Sequence, residues 1–240
     1  MGACQPPEIL GDRTAALACI ERFAAQAYGV NLLLFPECFL QGYLVEEHHV
    51  RTQALALTSP AFTAIRERLS HIGPTLVFGL IELHEGRYFN SAVVLTKGEL
   101  GGVYRKTHLT AGESLFTPGD AYPTFGQYGI NICSDTRHPE AAAAIAAQGA
   151  TILLVPSQNM MKRQAAERLK DLHHQVRAER ARETGMWVIS ADVTGARDPH
   201  RIAYGPTSVM NPDGDVVAQV PTGREGMVIA EVGRCGRRPG

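Results

Sequence analysis

The stretch Tyr128–Pro156, YGINICSDTRHPEAAAAIAAQGATILLVP, decides the fold class. YGINIC is an apolar run of strand length. HPEAAAAIAAQG places Pro139 in the first turn of a helix and Gly149 beyond its end. TILLVP is again short and apolar, a strand buried on both faces. Working outward, TLVFGLIEL and YFNSAVVL read as two strands joined by the turn HEGR, and GVYRK as a third. Residues 110–127 are polar, carry Gly and Pro, and read as a loop. Residues 12–28 form a helix with Asp12 as N-cap, apolar positions at Leu17, Ile20, Ala24 and Ala27, and Gly29 past its end. NLLLFPE is a buried strand stopped by Pro36, and residues 60–71 a second helix. Residues 161–184 predict one long helix with a narrow stripe, Ala165, Leu169, Leu172 and Val176. MWVISA is a strand, and from Tyr204 onward strands flank the turn Asn211-Pro212-Asp213-Gly214. Helices and strands alternate around a hairpin, which argues an α/β class with a mixed sheet.

The 240 residues fit one large domain, placed at 1–232 with a basic tail at 233–240. The hydrophobic share of 45% supports a sizeable core, and the formal charge of -1 gives no polyanion-binding surface. The cysteines, Cys4, Cys19, Cys38, Cys133 and Cys235, are odd in number and widely spaced. A disulfide framework and a zinc knuckle are therefore not expected. No apolar stretch approaches a membrane span and no leader pattern opens the chain, so a cytoplasmic protein is expected.

Three predicted strands end in a reactive side chain: Glu37 after NLLLFP, Lys106 after VYR and Cys133 after GINI. Reactive groups of α/β proteins gather at strand ends. A thiol can attack a carbonyl, a carboxylate can take its proton, and a cation can hold the oxyanion. Cys133 stands between a strand and a helix, in the manner of a nucleophile elbow, where the helix N-terminus favours the thiolate. Alone, each has a plainer reading: Cys133 a small buried hydrophobe, Glu37 a salt-bridge partner, Lys106 an edge cation.

FPECFLQGY, YRKTHL and GINICSDTRHPE resemble, in order and separation, the three signature segments of the nitrilase superfamily of carbon–nitrogen hydrolases. FTPGD at 116–120, RARETGMWVISAD and YGPTSVMNPDGDVV extend the resemblance over nearly the whole chain, with Thr184 where Asn is usual and Thr207 where Ser is common. The resemblance implies a four-layer α-β-β-α sandwich and a Glu-Lys-Cys triad. Glu37 would be the general base, Cys133 the nucleophile, and Lys106 with the Ser134 amide the oxyanion holder. Glu113 would position substrate or Lys106. It implies no metal or organic cofactor, a small amide or carbamoyl substrate, and a homodimer or higher homo-oligomer paired through residues 161–184 and the helix after Cys133. A first strand longer than Met1–Gln5 is also implied. Cys133-Ser134-Asp135 departs from the Trp-Glu that follows the cysteine of true nitrilases, and sits nearer the amidase and carbamoylase branches. Tyr43 and Ser157 follow neighbouring strands and are candidates for the pocket wall, with packing the equal alternative.

Cys38 reads as core. His108 reads as a structural hydrogen bonder. His48-His49 and His173-His174 lack the i, i+4 spacing of a helical zinc site. The cations Lys162, Arg163, Arg168, Lys170, Arg177, Arg180 and Arg182 interleave with four carboxylates and read as a solvated face, not a nucleic-acid site. Two rivals stand beside the hydrolase: a Cys-His amidotransferase-like enzyme, and a non-catalytic scaffold of the same fold.

Overall fold

The computed structural model describes residues 1–233; all but the first residue of the predicted basic tail, Cys235 included, lie outside the described residues. In chain order the elements are β1 Gly2–Gln5, α1 Arg13–Gln26, β2 Leu32–Leu34, α2 Glu47–Gln53, α3 Pro60–Leu69, β3 Thr75–His84, β4 Arg87–Thr96 and β5 Glu99–Arg105. There follow β6 Thr124–Phe125, β7 Tyr128–Ile130, a 3-10 turn Cys133–Arg137, α4 Pro139–Ala146 and β8 Ile152–Pro156. Next come β9 Met161–Lys162, α5 Arg163–Leu169, α6 Leu172–Thr184 and β10 Trp187–Ala191. The last are β11 Thr194–Asp198, β12 Arg201–Tyr204, β13 Ser208–Met210, β14 Val216–Gln219 and β15 Gly226–Ile229.

Local chemistry starts these elements where the sequence places them. Asp12 caps α1, its carboxylate accepting from the Ala15 amide at 2.9 Å. Ser59 caps α3 in the same way through the Phe62 amide, and Pro60 occupies the first turn.

Two six-stranded sheets form, in the orders β15-β1-β2-β3-β4-β5 and β14-β13-β10-β8-β7-β6. Side-chain alternation divides each central strand between two cores. Leu32 and Leu34 of β2 and Val77 of β3 meet Ile152 and Leu154 of β8 and Ile189 of β10 between the sheets. The alternate residues Leu33, Leu76 and Phe78 face α1 and α3, whose Ile20, Phe23, Phe62 and Ile65 complete a second core. Leu153, Val155 and Val188 face α4 and α6 on the far side. The layers are therefore α-β-β-α, as the resemblance implies. A small sheet, β11-β12-β9, lies outside the two large ones.

Three expectations need correction. Residues 161–184 are not one helix. Met161–Lys162 pair with β12 as β9, and the helix breaks at Lys170–Asp171. The halves have different partners, α5 packing on β12 and α6 on α4 and β10, so tertiary contacts override the continuous helical pattern. The loop 110–127 contains β6, which pairs with β7. The cationic face is not wholly solvated: Arg177 and Arg180 are each 3% exposed. Arg180 donates to the Thr136 carbonyl and pairs with Glu183.

Candidate active site

Glu37 leaves the end of β2 in a tight bend that presses against β3. Gly79 lets it do so, because a Cβ there would lie 2.2 Å from the Cys38 nitrogen and 2.7 Å from the Glu37 Cα. The Gly79 amide donates to the Pro36 carbonyl, and the Leu40 amide to that of Gly79. Lys106 follows β5, its amide donating to the Asn90 carbonyl on β4. Cys133 follows β7 and opens the 3-10 turn with φ 47°, the strained left-handed backbone of an elbow.

Glu37, Lys106 and Glu113 form one buried cluster. The ammonium donates to Glu37 Oε1 at 2.7 Å and to the Glu113 oxygens at 3.0 and 2.9 Å. Asn90 ties the carboxylates together, donating to Glu37 Oε1 at 2.7 Å and Glu113 Oε1 at 2.8 Å. The Cys38 thiol donates to its oxygen at 3.4 Å, so Cys38 is core, as expected, but it also fixes this amide.

The two carboxyls differ electrically. Burial pushes Glu37 up to about 7, with Lys106 opposing and Glu113 adding. Burial also raises Glu113, but Lys106 and the Thr110 amide outweigh it and hold the carboxyl below its ordinary value. Burial would lower Lys106, but Glu37, Cys133 and Glu113 hold it well above the ordinary value. Glu113 thus balances the ammonium, and Glu37 is the group able to gain or lose a proton near neutral pH.

Burial, then the charge of Glu37, pushes the Cys133 thiol up to about 12; Lys106 and the Gln158 amide oppose this. Burial and the Glu37 charge thus work against the thiolate that a helix N-terminus would favour, and bias Cys133 toward the thiol.

Cys133, Glu37, Lys106, Ser134, Tyr43 and Ser157 all line one cavity of about 170 Å³, and Glu113 stands behind Lys106. The Ser134 hydroxyl donates to the His108 carbonyl at 2.6 Å. Ser157 accepts from Arg177 Nη2 at 3.0 Å. His108 bonds Tyr122 at 3.1 Å and stacks on His138 at 3.7 Å, away from the cavity lining. His108, His138 and Glu140 bring donor atoms within 4.8 Å of one another. The two imidazoles are parallel within 4°, so their in-plane lone pairs run side by side instead of converging on an ion.

Sequence reasoning missed three residues here. Asn90 was visible only as an amide within an apolar strand. Asp135 accepts from the Ile132 and His108 amides, the Tyr104 hydroxyl and the Thr107 hydroxyl, bolting the lysine loop to the elbow. Arg177 binds Ser157, Ser190 and the Pro206 carbonyl, and was indistinguishable from its solvated neighbours.

Comparison with known proteins matches residues 1–237 to the carbon–nitrogen hydrolase family. The chain is 29% identical over 203 residues to an (R)-stereoselective amidase of a Pseudomonas species, covering 82% of this chain and 72% of that one. It is 25% identical to an N-carbamoylputrescine amidase of Arabidopsis thaliana, covering 92% and 82%. Its fold superposes on an amidase from a Nesterenkonia species with a TM-score of 0.79 at 25% identity, covering 94% and 87%.

Proposed function

The chain belongs to the carbon–nitrogen hydrolase family, and from that premise we propose that it hydrolyses a small carboxamide or N-carbamoyl compound through a thioester on Cys133, releasing ammonia. One observation carries the reading: a buried Lys106 held by Glu37 and Glu113 opens, with Cys133, onto a single cavity. The cavity is smaller than the roughly 300–1,000 Å³ of drug-sized sites, which suits a small substrate.

The steps follow from the charges. Ionised Glu37 takes the thiol proton as Cys133 attacks the carbonyl carbon. Because the thiol is pushed up to about 12, transfer and attack proceed together. Lys106 and the Ser134 amide hold the oxyanion. Protonated Glu37 gives its proton to the leaving nitrogen, the C–N bond breaks, and ammonia departs. Water, deprotonated by Glu37, then attacks the acyl-enzyme, and the thiol reforms as a carboxylic acid leaves, or, from an N-carbamoyl substrate, a carbamic acid that falls apart to the amine and carbon dioxide. Glu113 keeps Lys106 charged and in place throughout.

The Cys-His alternative is weaker on electrostatic grounds. His173 is the histidine lining the cavity among the described residues, and burial with the nearby Arg177 pushes it down to about 3. Such an imidazole is a poor base at neutral pH.

The test is ammonia release from a panel of carboxamides and N-carbamoyl compounds, wild type beside Cys133→Ala, with intact-mass spectra during turnover. Release and an acyl adduct in the wild type, both absent in the variant, are expected. A folded protein that releases no ammonia and whose Cys133 resists alkylation refutes the reading and restores the scaffold.

A further inference from the structure

We infer that the cavity wall away from the Glu37–Lys106 cluster recognises an anion, so that the substrate is a carboxamide or N-carbamoyl compound carrying a carboxylate tail. This rests on the hydrolase reading above and narrows it.

The lining residues are unbalanced in charge. Among the described residues, Glu37 is the one carboxylate that lines the cavity, whereas Lys106, Arg137 and Arg177 are its cations. Lys106 is already matched by Glu37 and Glu113. The two arginines are not matched by contact. Arg177 is buried, yet its hydrogen bonds go to uncharged oxygens: Ser190 Oγ at 3.0 Å, the Pro206 carbonyl at 2.9 Å and Ser157 Oγ at 3.0 Å. Asp192 acts on it only through space, because its oxygens accept from the Asn159 amide and side chain and from the Val193 amide. The Arg137 residue is exposed at the rim, and its guanidinium makes no ion pair or hydrogen bond among the described residues. The carboxylate in the next helical turn, Glu140, faces His138 at 3.4 Å and His108 at 3.8 Å instead.

Ser157 adds direction to the charge. Its oxygen accepts from Arg177, and no hydrogen bond occupies its own O–H among the described residues. A hydroxyl whose oxygen is polarised by a guanidinium is a strong donor, and Ser157 lines the cavity. Burial and the two arginines favour neutral His173, so the arginines carry the positive charge of this wall. Leu172, Val176 and Met161 supply apolar wall beside these donors. A carboxylate here meets donors and two guanidiniums that, among the described residues, no carboxylate contacts, whereas an ammonium tail meets repulsion.

The carboxylate has two chemical sources, the monoamide of a dicarboxylic acid and an N-carbamoyl amino acid. Both are tested as sets of equal chain length, ending in a carboxylate, a neutral alkyl group or an ammonium. In the favoured set, kcat/KM for the carboxylate member should exceed the neutral one at least tenfold and the ammonium one at least a hundredfold. The preference should weaken with added salt. In Arg137→Gln the ratio of carboxylate to neutral substrate should fall at least tenfold through KM, and Arg137→Lys should recover part of it. Neutral or ammonium tails hydrolysed as well as the carboxylate, or a ratio unmoved in Arg137→Gln, overturn the inference and leave the hydrolase standing. No ammonia from any compound overturns both.

Discussion

Replacing Asn90 with alanine tests how one ammonium is shared between two buried carboxylates. The amide donates to Glu37 at 2.7 Å and to Glu113 at 2.8 Å. A hydrogen bond to a charged group contributes about 1.5–3 kcal/mol. One pKa unit corresponds to about 1.36 kcal/mol, so losing the bond moves Glu37 by roughly one to two units. The direction is fixed, because an N–H donor favours the ionised carboxylate and its loss favours the protonated acid. Glu37 already stands at about 7. The acid limb of kcat/KM should therefore move to about pH 8–9. At pH 7 the active, ionised fraction drops about five- to fiftyfold, and alkaline buffer restores it. The assay is ammonia release across pH, with a thermal melt to establish that the variant is folded. An acid limb that stays at about 7, or moves lower, in a folded Asn90→Ala protein would refute the assignment of Glu37 as base.

The other expectations follow the same physics. Glu37→Gln should abolish ammonia release. It should also flatten part of the stability profile, because a carboxyl raised from 4.5 to about 7 contributes stability below 4.5 that is lost as pH rises through 7, about 3 kcal/mol in all. Urea midpoints at intervals across that range check this, and identical slopes in both proteins would contradict it. Gly79→Ala places a Cβ 2.2 Å from the Cys38 nitrogen, so the Glu37 bend must shift by about 1 Å. A displacement of that size costs about a hundredfold in rate, and a kcat within threefold of wild type would count against the close-approach argument. Asp135→Ala strips the Ile132 and His108 amides of their acceptor. At about 1–3 kcal/mol for each unpaired donor, the melting temperature should fall by at least about 4 °C; an unchanged melt would show that water replaces the carboxylate.

Much of the scaffold was legible because it is local. Asp12, the helical pattern from residue 60 and the short apolar runs act within a few residues, and the elements stand where they place them. The three reactive strand ends were legible for the same reason. What escaped depends on partners far away in sequence. Arg177 is an ordinary helical cation until Ser157, Ser190 and Pro206 close around it. Asn90 is a polar residue in a strand until Glu37 and Glu113 arrive from either side. The helix at 161–184 carries a continuous pattern, and only the different surfaces under its halves reveal the break.

Glu37 and Lys106 follow strands of one large sheet, whereas Cys133 follows a strand of the other. On the mechanism proposed above, catalytic competence therefore reports the docking of two halves, not the integrity of either. An opening along the seam between the sheets separates the thiol from its base while every helix and hairpin persists. Heat inactivation should accordingly run ahead of the loss of secondary structure, and activity should be the last property regained on refolding, since the contacts across the seam, such as those of Leu32 and Leu34 with Leu154 and Ile189, join segments far apart in sequence.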